Sequence, residues 1–116
     1  MTKVYYYINQ KDESPVKDFI ESLPETQRAK VFRIFQVIHE YGIQSIPRHV
    51  KKLQGFPLWE IRILGADNIR IIYIMTHGDT LLALHGFIKK TQKTPKREIE
   101  TAINRYNEWL KTSRPT

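Results

Sequence analysis

Three runs of β-forming residues, Leu58–Ile63, Ile69–Met75 and Leu81–Phe87, follow one another so closely that pairing with each other is their simplest use. The segments between them, Leu64-Gly65-Ala66-Asp67-Asn68 and Thr76-His77-Gly78-Asp79-Thr80, have turn chemistry and are too short for anything but antiparallel hairpins. A β-meander follows. In its first strand Trp59, Ile61 and Ile63 alternate with Glu60 and Arg62, the pattern of a strand with one face on a core. That alternation predicts packing roles for Trp59 and Tyr73 rather than base stacking.

The rest of the chain must cover this sheet. Val4–Ile8 reads as a first strand. Ser14-Pro15 is a helix start, with a hydroxyl to cap a free amide and proline at the first helical position. Val16, Phe19, Ile20 and Leu23 then give one apolar stripe, which Pro24 ends. A second helix from there to about Tyr41 buries Val31, Ile34, Phe35 and Ile38 and stops at Gly42. Residues 43–55, with Pro47 and mixed charges, lack a clear period and read as a connection with room for one extra turn or strand. Thr94-Pro95 opens a final helix with Ile99, Ala102, Ile103, Tyr106 and Leu110 on its apolar face and Trp109 beside it; Ser113–Thr116 reads as a frayed tail. The expected class is therefore α+β, an antiparallel sheet with an N-terminal helical hairpin and a C-terminal helix, in the order β-α-α-β-β-β-α.

At 116 residues, 41% of them hydrophobic, the chain is expected to form one domain over residues 1–116. It has no cysteine, which excludes a thiol nucleophile and every Cys-based metal site. The longest apolar run, Ile71–Met75, is far below membrane-spanning length, so a cytoplasmic protein without membrane association is expected. No phosphate-binding glycine loop occurs, and the four histidines lack ligand spacing, so no metal or cofactor is expected. What remains is cationic chemistry. The net charge is +7, which favours a polyanionic partner. Its surplus is local: Lys89, Lys90, Lys93, Lys96 and Arg97 fall in nine residues without an acid, and Arg48, His49, Lys51 and Lys52 form a smaller cluster.

Arg62 and Arg70 each sit between isoleucines in a strand, where a charge needs an open face or a use. A hairpin across residues 64–68 sets them directly opposite one another, and like charges so placed destabilise a sheet unless an anion lies between them. The alternative is that each pairs with Glu60, Asp67 or another acid. The lysines after Phe87 oppose the positive end of the helix they lead into, which points to a bound polyanion or else to a solvated loop. His85 is a candidate general base, with a hydrogen-bonded sheet histidine as the alternative.

The stretches Lys52-Leu53-Gln54-Gly55-Phe56-Pro57-Leu58-Trp59-Glu60-Ile61-Arg62, Asn68-Ile69-Arg70-Ile71-Ile72-Tyr73 and Leu84-His85-Gly86-Phe87-Ile88-Lys89-Lys90-Thr91-Gln92-Lys93-Thr94-Pro95, in this order of elements, resemble the phage-derived Gp49-like, HigB-type toxins of the RelE/ParE superfamily. The resemblance covers nearly the whole chain and implies a RelE-like fold. It also implies the toxin of a type II toxin–antitoxin system, a metal-independent endoribonuclease (mRNA interferase) that cleaves mRNA at the ribosome through 2′-hydroxyl attack. The implied partners are mRNA, the ribosome and a cognate helix-turn-helix, HigA-like antitoxin. By motif position, Arg62 corresponds to a catalytic lysine of the RelE enzymes, Arg70 to their phosphate-stabilising arginine and Lys90 to their leaving-group arginine. With His85 these make up the expected catalytic set, and Lys52, Lys89, Lys93 and Lys96 the expected RNA-binding set. Two positions depart from the RelE pattern: Glu60 stands where a second catalytic lysine is found, and Lys96 falls near their tyrosine. Glu60, His85 and a lysine therefore remain open as the base. Two other functions also remain open, a ParE-like poison that binds a protein target such as gyrase and a basic nucleic-acid-binding module without chemistry.

Overall fold

The structure, a computed structural model, describes residues 1–63 and 68–112. Most of the first expected hairpin turn, residues 64–67, and the expected frayed tail, residues 113–116, lie outside the described residues. In chain order the elements are β1 (Lys3–Tyr6), α1 (Pro15–Ser22), α2 (Glu25–Tyr41), two 3-10 turns (Ile43–Ser45 and Pro47–His49), β2 (Val50–Lys52), β3 (Trp59–Arg62), β4 (Ile69–Thr76), β5 (Thr80–Ile88) and α3 (Lys96–Thr112). The class is α+β, as expected of a RelE-like domain.

Two features of the expected sheet are corrected. The segment expected to be a connection contributes β2, so the order is β-α-α-β-β-β-β-α, and the five strands lie in the order β1-β5-β4-β3-β2. β2 is a three-residue edge strand whose two lysines are exposed, and charge on a short edge is a common way to keep it from pairing further. The sheet is also mixed rather than antiparallel, because β1 runs parallel to β5, with Val4 opposite Leu81. Parallel neighbours need a long crossover, and everything from α1 to β4 supplies it.

Both faces of the sheet are covered, which corrects the one-faced reading of β3. On one face α1 and α2 bury Val16, Ile20, Val31, Phe35 and Ile38 against Ile61, Ile69, Ile71, Tyr73, Leu81 and Ala83. On the other, Ile99 and Ala102 of α3 pack on Leu58, Ile72, Ile74, Leu82, Leu84 and Phe87. Strands covered on both faces lose their polar alternation, and β4 is accordingly buried at five of its eight positions. Close packing of α1 on β5 depends on Gly86: a Cβ there would stand 2.5 Å from Phe19 Cδ2 and 3.2 Å from Ile71 Cδ1.

Ser14 precedes α1 as expected, but its hydroxyl caps nothing. Ser14 joins the helix through its backbone instead, its carbonyl accepting from the Asp18 amide at 3.0 Å. Among the described residues no helix is long and apolar enough to cross a membrane.

Candidate functional site

Cross-strand register builds the site. Arg62, Arg70 and Phe87 are opposite one another across β3, β4 and β5, so the two arginines face each other as the hairpin reading expects. The neighbouring row on the same face is Lys51, Glu60, Ile72 and His85. His85 joins this face because of a β-bulge. Ile72 pairs with His85 but Tyr73 pairs with Ala83, which leaves Leu84 as an extra residue and shifts the parity of β5. Leu82 and Leu84 before the bulge, and His85 and Phe87 after it, therefore all point toward α3.

Glu60 is fully buried, in the midst of this basic surface. Its Oε2 accepts a 2.6 Å hydrogen bond from the Thr94 hydroxyl, and its Oε1 lies 3.5 Å from Arg70 Nε. Thr94, expected with Pro95 to open the final helix, thus ties the start of α3 to the sheet. The acid-pairing alternative holds for Arg70, but not as a full seal. Arg70 also donates from NH1 to the Ile69 carbonyl, while its Nε and that of Arg62 are buried without a hydrogen-bond acceptor among the described residues. Arg62 donates from NH2 to the Arg48 carbonyl at 3.2 Å. Buried donors left in this state cost free energy until an acceptor arrives.

Arg70, Lys89 and Lys90 line one open cleft of about 440 Å³ with Asn68, Thr91 and Gln92. Three of the expected site residues therefore converge. Burial lowers the pKa of the Lys89 ammonium; Glu60 opposes the shift, and Arg70, Lys51 and Arg62 reinforce it. The Arg70 guanidinium is likewise lowered, by burial first and then by Arg62, against the opposing pull of Glu60. Burial is the largest cause of both shifts, and the neighbouring cations crowded around Glu60 add to it. A phosphate would relieve the crowding, and charge-assisted hydrogen bonds to it are about twice as strong as neutral ones.

Other expected residues stand apart. Lys52 pairs with Trp59 on the opposite sheet face, and its Nζ donates to the Phe56 carbonyl at 2.9 Å. Lys51, left out of the expected set, is the lysine on the arginine face, a placement that follows from strand parity once β2 is known to be a strand. Lys93 and Lys96 are exposed around the entry to α3. Trp59 is 38% exposed rather than in the core, because Ile43, Gln44 and Pro47 line an apolar groove at its side instead of covering it. Tyr73, its cross-strand neighbour, is buried as expected.

Sequence reasoning expected Lys96 of α3 at the site but missed Glu98 and Arg105. His85 stacks on Phe87 and has both ring nitrogens engaged: Nε2 lies 2.8 Å from Glu98 Oε1, and Nδ1 lies 3.1 Å from Arg105 NH1. Arg105 NH1 also donates to the carbonyl of Leu84, the bulge residue, at 3.0 Å. Its guanidinium lies over the Tyr7 ring, and the Tyr7 hydroxyl donates to Glu108. Glu98, an acid in the first turn of α3, was the available signal.

A family model of phage-derived Gp49-like proteins matches residues 18–107. The chain belongs to this Gp49-like family. The match takes in every strand of the arginine face and the start of α3, as the resemblance read from the sequence implies. This Gp49-like chain is also 33% identical over 101 residues to proteins called probable endoribonuclease HigB1 from Mycobacterium tuberculosis, in strains CDC 1551 / Oshkosh and ATCC 25618 / H37Rv. The alignment covers 84% of this chain and 77% of each relative.

Proposed function

We propose that this Gp49-like chain is the toxin of a type II toxin–antitoxin pair and acts as an endoribonuclease on mRNA at the ribosome, with a helix-turn-helix antitoxin as its partner. The observation that carries the chemistry is the cleft where Arg70, Lys89 and Lys90 meet, with Arg62 opposite Arg70 on the same sheet face. The naming of its relatives as probable endoribonucleases supports the same reading.

In this mechanism the 2′ oxygen of a bound nucleotide attacks the adjacent phosphorus, and the bond to the 5′ oxygen breaks. The products are a 2′,3′-cyclic phosphate and a 5′-hydroxyl. Charge builds on the phosphoryl oxygens in the transition state, and the guanidinium of Arg70 and the ammonium of Lys89 are fixed where they can meet it. Removing one such preorganised donor costs about a hundredfold or more in rate. Lys90, more exposed than Lys89, gives its proton to the departing 5′ oxygen. Arg62 serves from β3 by raising the local positive potential, and Lys93 and Lys96 hold the flanking backbone. Glu60 orients Arg70 and anchors Thr94, so the basic segment between β5 and α3 stays over the sheet.

The test is expression of the wild-type chain and of Arg70→Ala and Lys90→Ala variants, followed by mapping of mRNA 5′ ends. The wild type should produce new ends inside coding regions, and both variants should abolish them. DNA damage without new RNA ends would instead support a gyrase-type poison and contradict this reading.

A further inference from the structure

The hydrogen bonds around His85 fix its protonation pattern. A guanidinium can only donate, so Arg105 NH1 at 3.1 Å requires an unprotonated Nδ1, and in the neutral ring the proton then sits on Nε2. Nε2–H donates to Glu98 Oε1 at 2.8 Å. The imidazole thus has no nitrogen free to accept a substrate proton. Glu60, the other candidate acid on this face, is fully buried, with Oε2 on Thr94 and Oε1 facing Arg70. Glu98 differs from both. Its side chain is 17% exposed, and among the described residues Oε2 meets only Arg97 Nε at 3.6 Å, on a side chain itself 83% exposed. Glu98 lines a cleft of about 350 Å³ with Lys90 and Thr91, and those two residues also line the cleft of Arg70 and Lys89.

We propose that Glu98 is the base for the 2′-hydroxyl, and that His85, locked by Arg105, is the positioning residue that aims it; this rests on the nuclease reading above. A proton passes from the 2′ oxygen to the Glu98 carboxylate as the oxygen's electron pair bonds to phosphorus. The bond from phosphorus to the 5′ oxygen breaks, and that oxygen takes its proton from the Lys90 ammonium. Lys89 is not the acceptor, because a phosphate bound beside it and Arg70 favours its charged form. The bulge in β5 acquires a purpose: were the ladder regular from Tyr73 opposite Ala83 onward, Leu84 would pair with Ile72 and His85 with Ile71, and the His85 ring would face α1 rather than Glu98.

Two measurements on the full chain test this. In the nitrogen NMR spectrum of the His85 ring, Nε2 should carry the proton and Nδ1 should be bare, and Arg105→Met should release that preference. A proton on Nδ1 overturns the positioning role. In cleavage of mRNA on a programmed ribosome, Glu98→Gln should slow the reaction about a hundredfold. Its binding to the same mRNA carrying a 2′-deoxy nucleotide at the cut site should change less than about twofold. His85→Leu should lose about tenfold, and His85→Gln, which keeps a donor to Glu98, should recover most of that loss. Near-wild-type cleavage by Glu98→Gln overturns the assignment of the base alone. A wild-type chain that leaves the mRNA whole, with the His85 spectrum as expected, overturns the nuclease reading instead.

Discussion

Single residues on the arginine face have their ionisation shifted by what surrounds them. Burial holds the His85 imidazole below the ordinary histidine range, the Arg105 guanidinium adds to the shift, and its hydrogen bond to Glu98 works the other way. The folded chain therefore takes up a proton on His85 less readily than the unfolded chain does. The resulting stability is complete above the unfolded value, near pH 6.5, and is lost as the pH falls from there through the lower folded value. Urea denaturation at about pH 7.5 and about pH 5.5 should show a wild-type midpoint that drops on acidification, and His85→Gln should remove part of that drop. Equal drops in the two proteins would show that His85 is not depressed. Tyr7 works at the alkaline end. Burial first, then the hydrogen bond to Glu108, raises its hydroxyl to about 12, so it stays neutral in the folded chain where the unfolded chain would ionise it.

At the scale of elements, the site depends on how helices seat on the sheet from both sides. Gly86 lets Phe19 of α1 approach β5 directly behind the strand that carries His85 and Phe87. Gly86→Ala should cost about 1–3 kcal/mol through overpacking, read as a lower denaturation midpoint. An unchanged midpoint would mean that α1 can shift without cost. The hairpin helices, the three meander strands and α3 were legible because each is a helical apolar stripe or a compact β-forming run with clear stop residues. Strand parity with a short hairpin is enough to set Arg62 opposite Arg70. β2 was not legible, because three residues, two of them lysine, carry no alternation to read. The β5 bulge was not legible either, since the run Leu81–Phe87 is almost continuously apolar and shows no slip at Leu84. That slip decides which face His85 occupies. The part played by Glu98 and Arg105 followed from it, as did the missed place of Lys51 from β2.

For the whole molecule, the net charge of +7 acts through geometry rather than through its sum. Cations far apart in sequence, from β3, β4 and the segment after β5, meet on one face, and the opposite face is given to the helical hairpin. One buried acid, Glu60, holds the cluster together without neutralising it. The most direct measurement of this account is incubation of the purified chain with translating ribosomes, followed by analysis of the mRNA end groups, for the wild type and for Arg70→Ala. The account predicts wild-type fragments ending in a 2′,3′-cyclic phosphate and beginning with a 5′-hydroxyl, and a rate at least about a hundredfold lower for the variant. Intact mRNA with the wild type, or equal cleavage by Arg70→Ala, would contradict it.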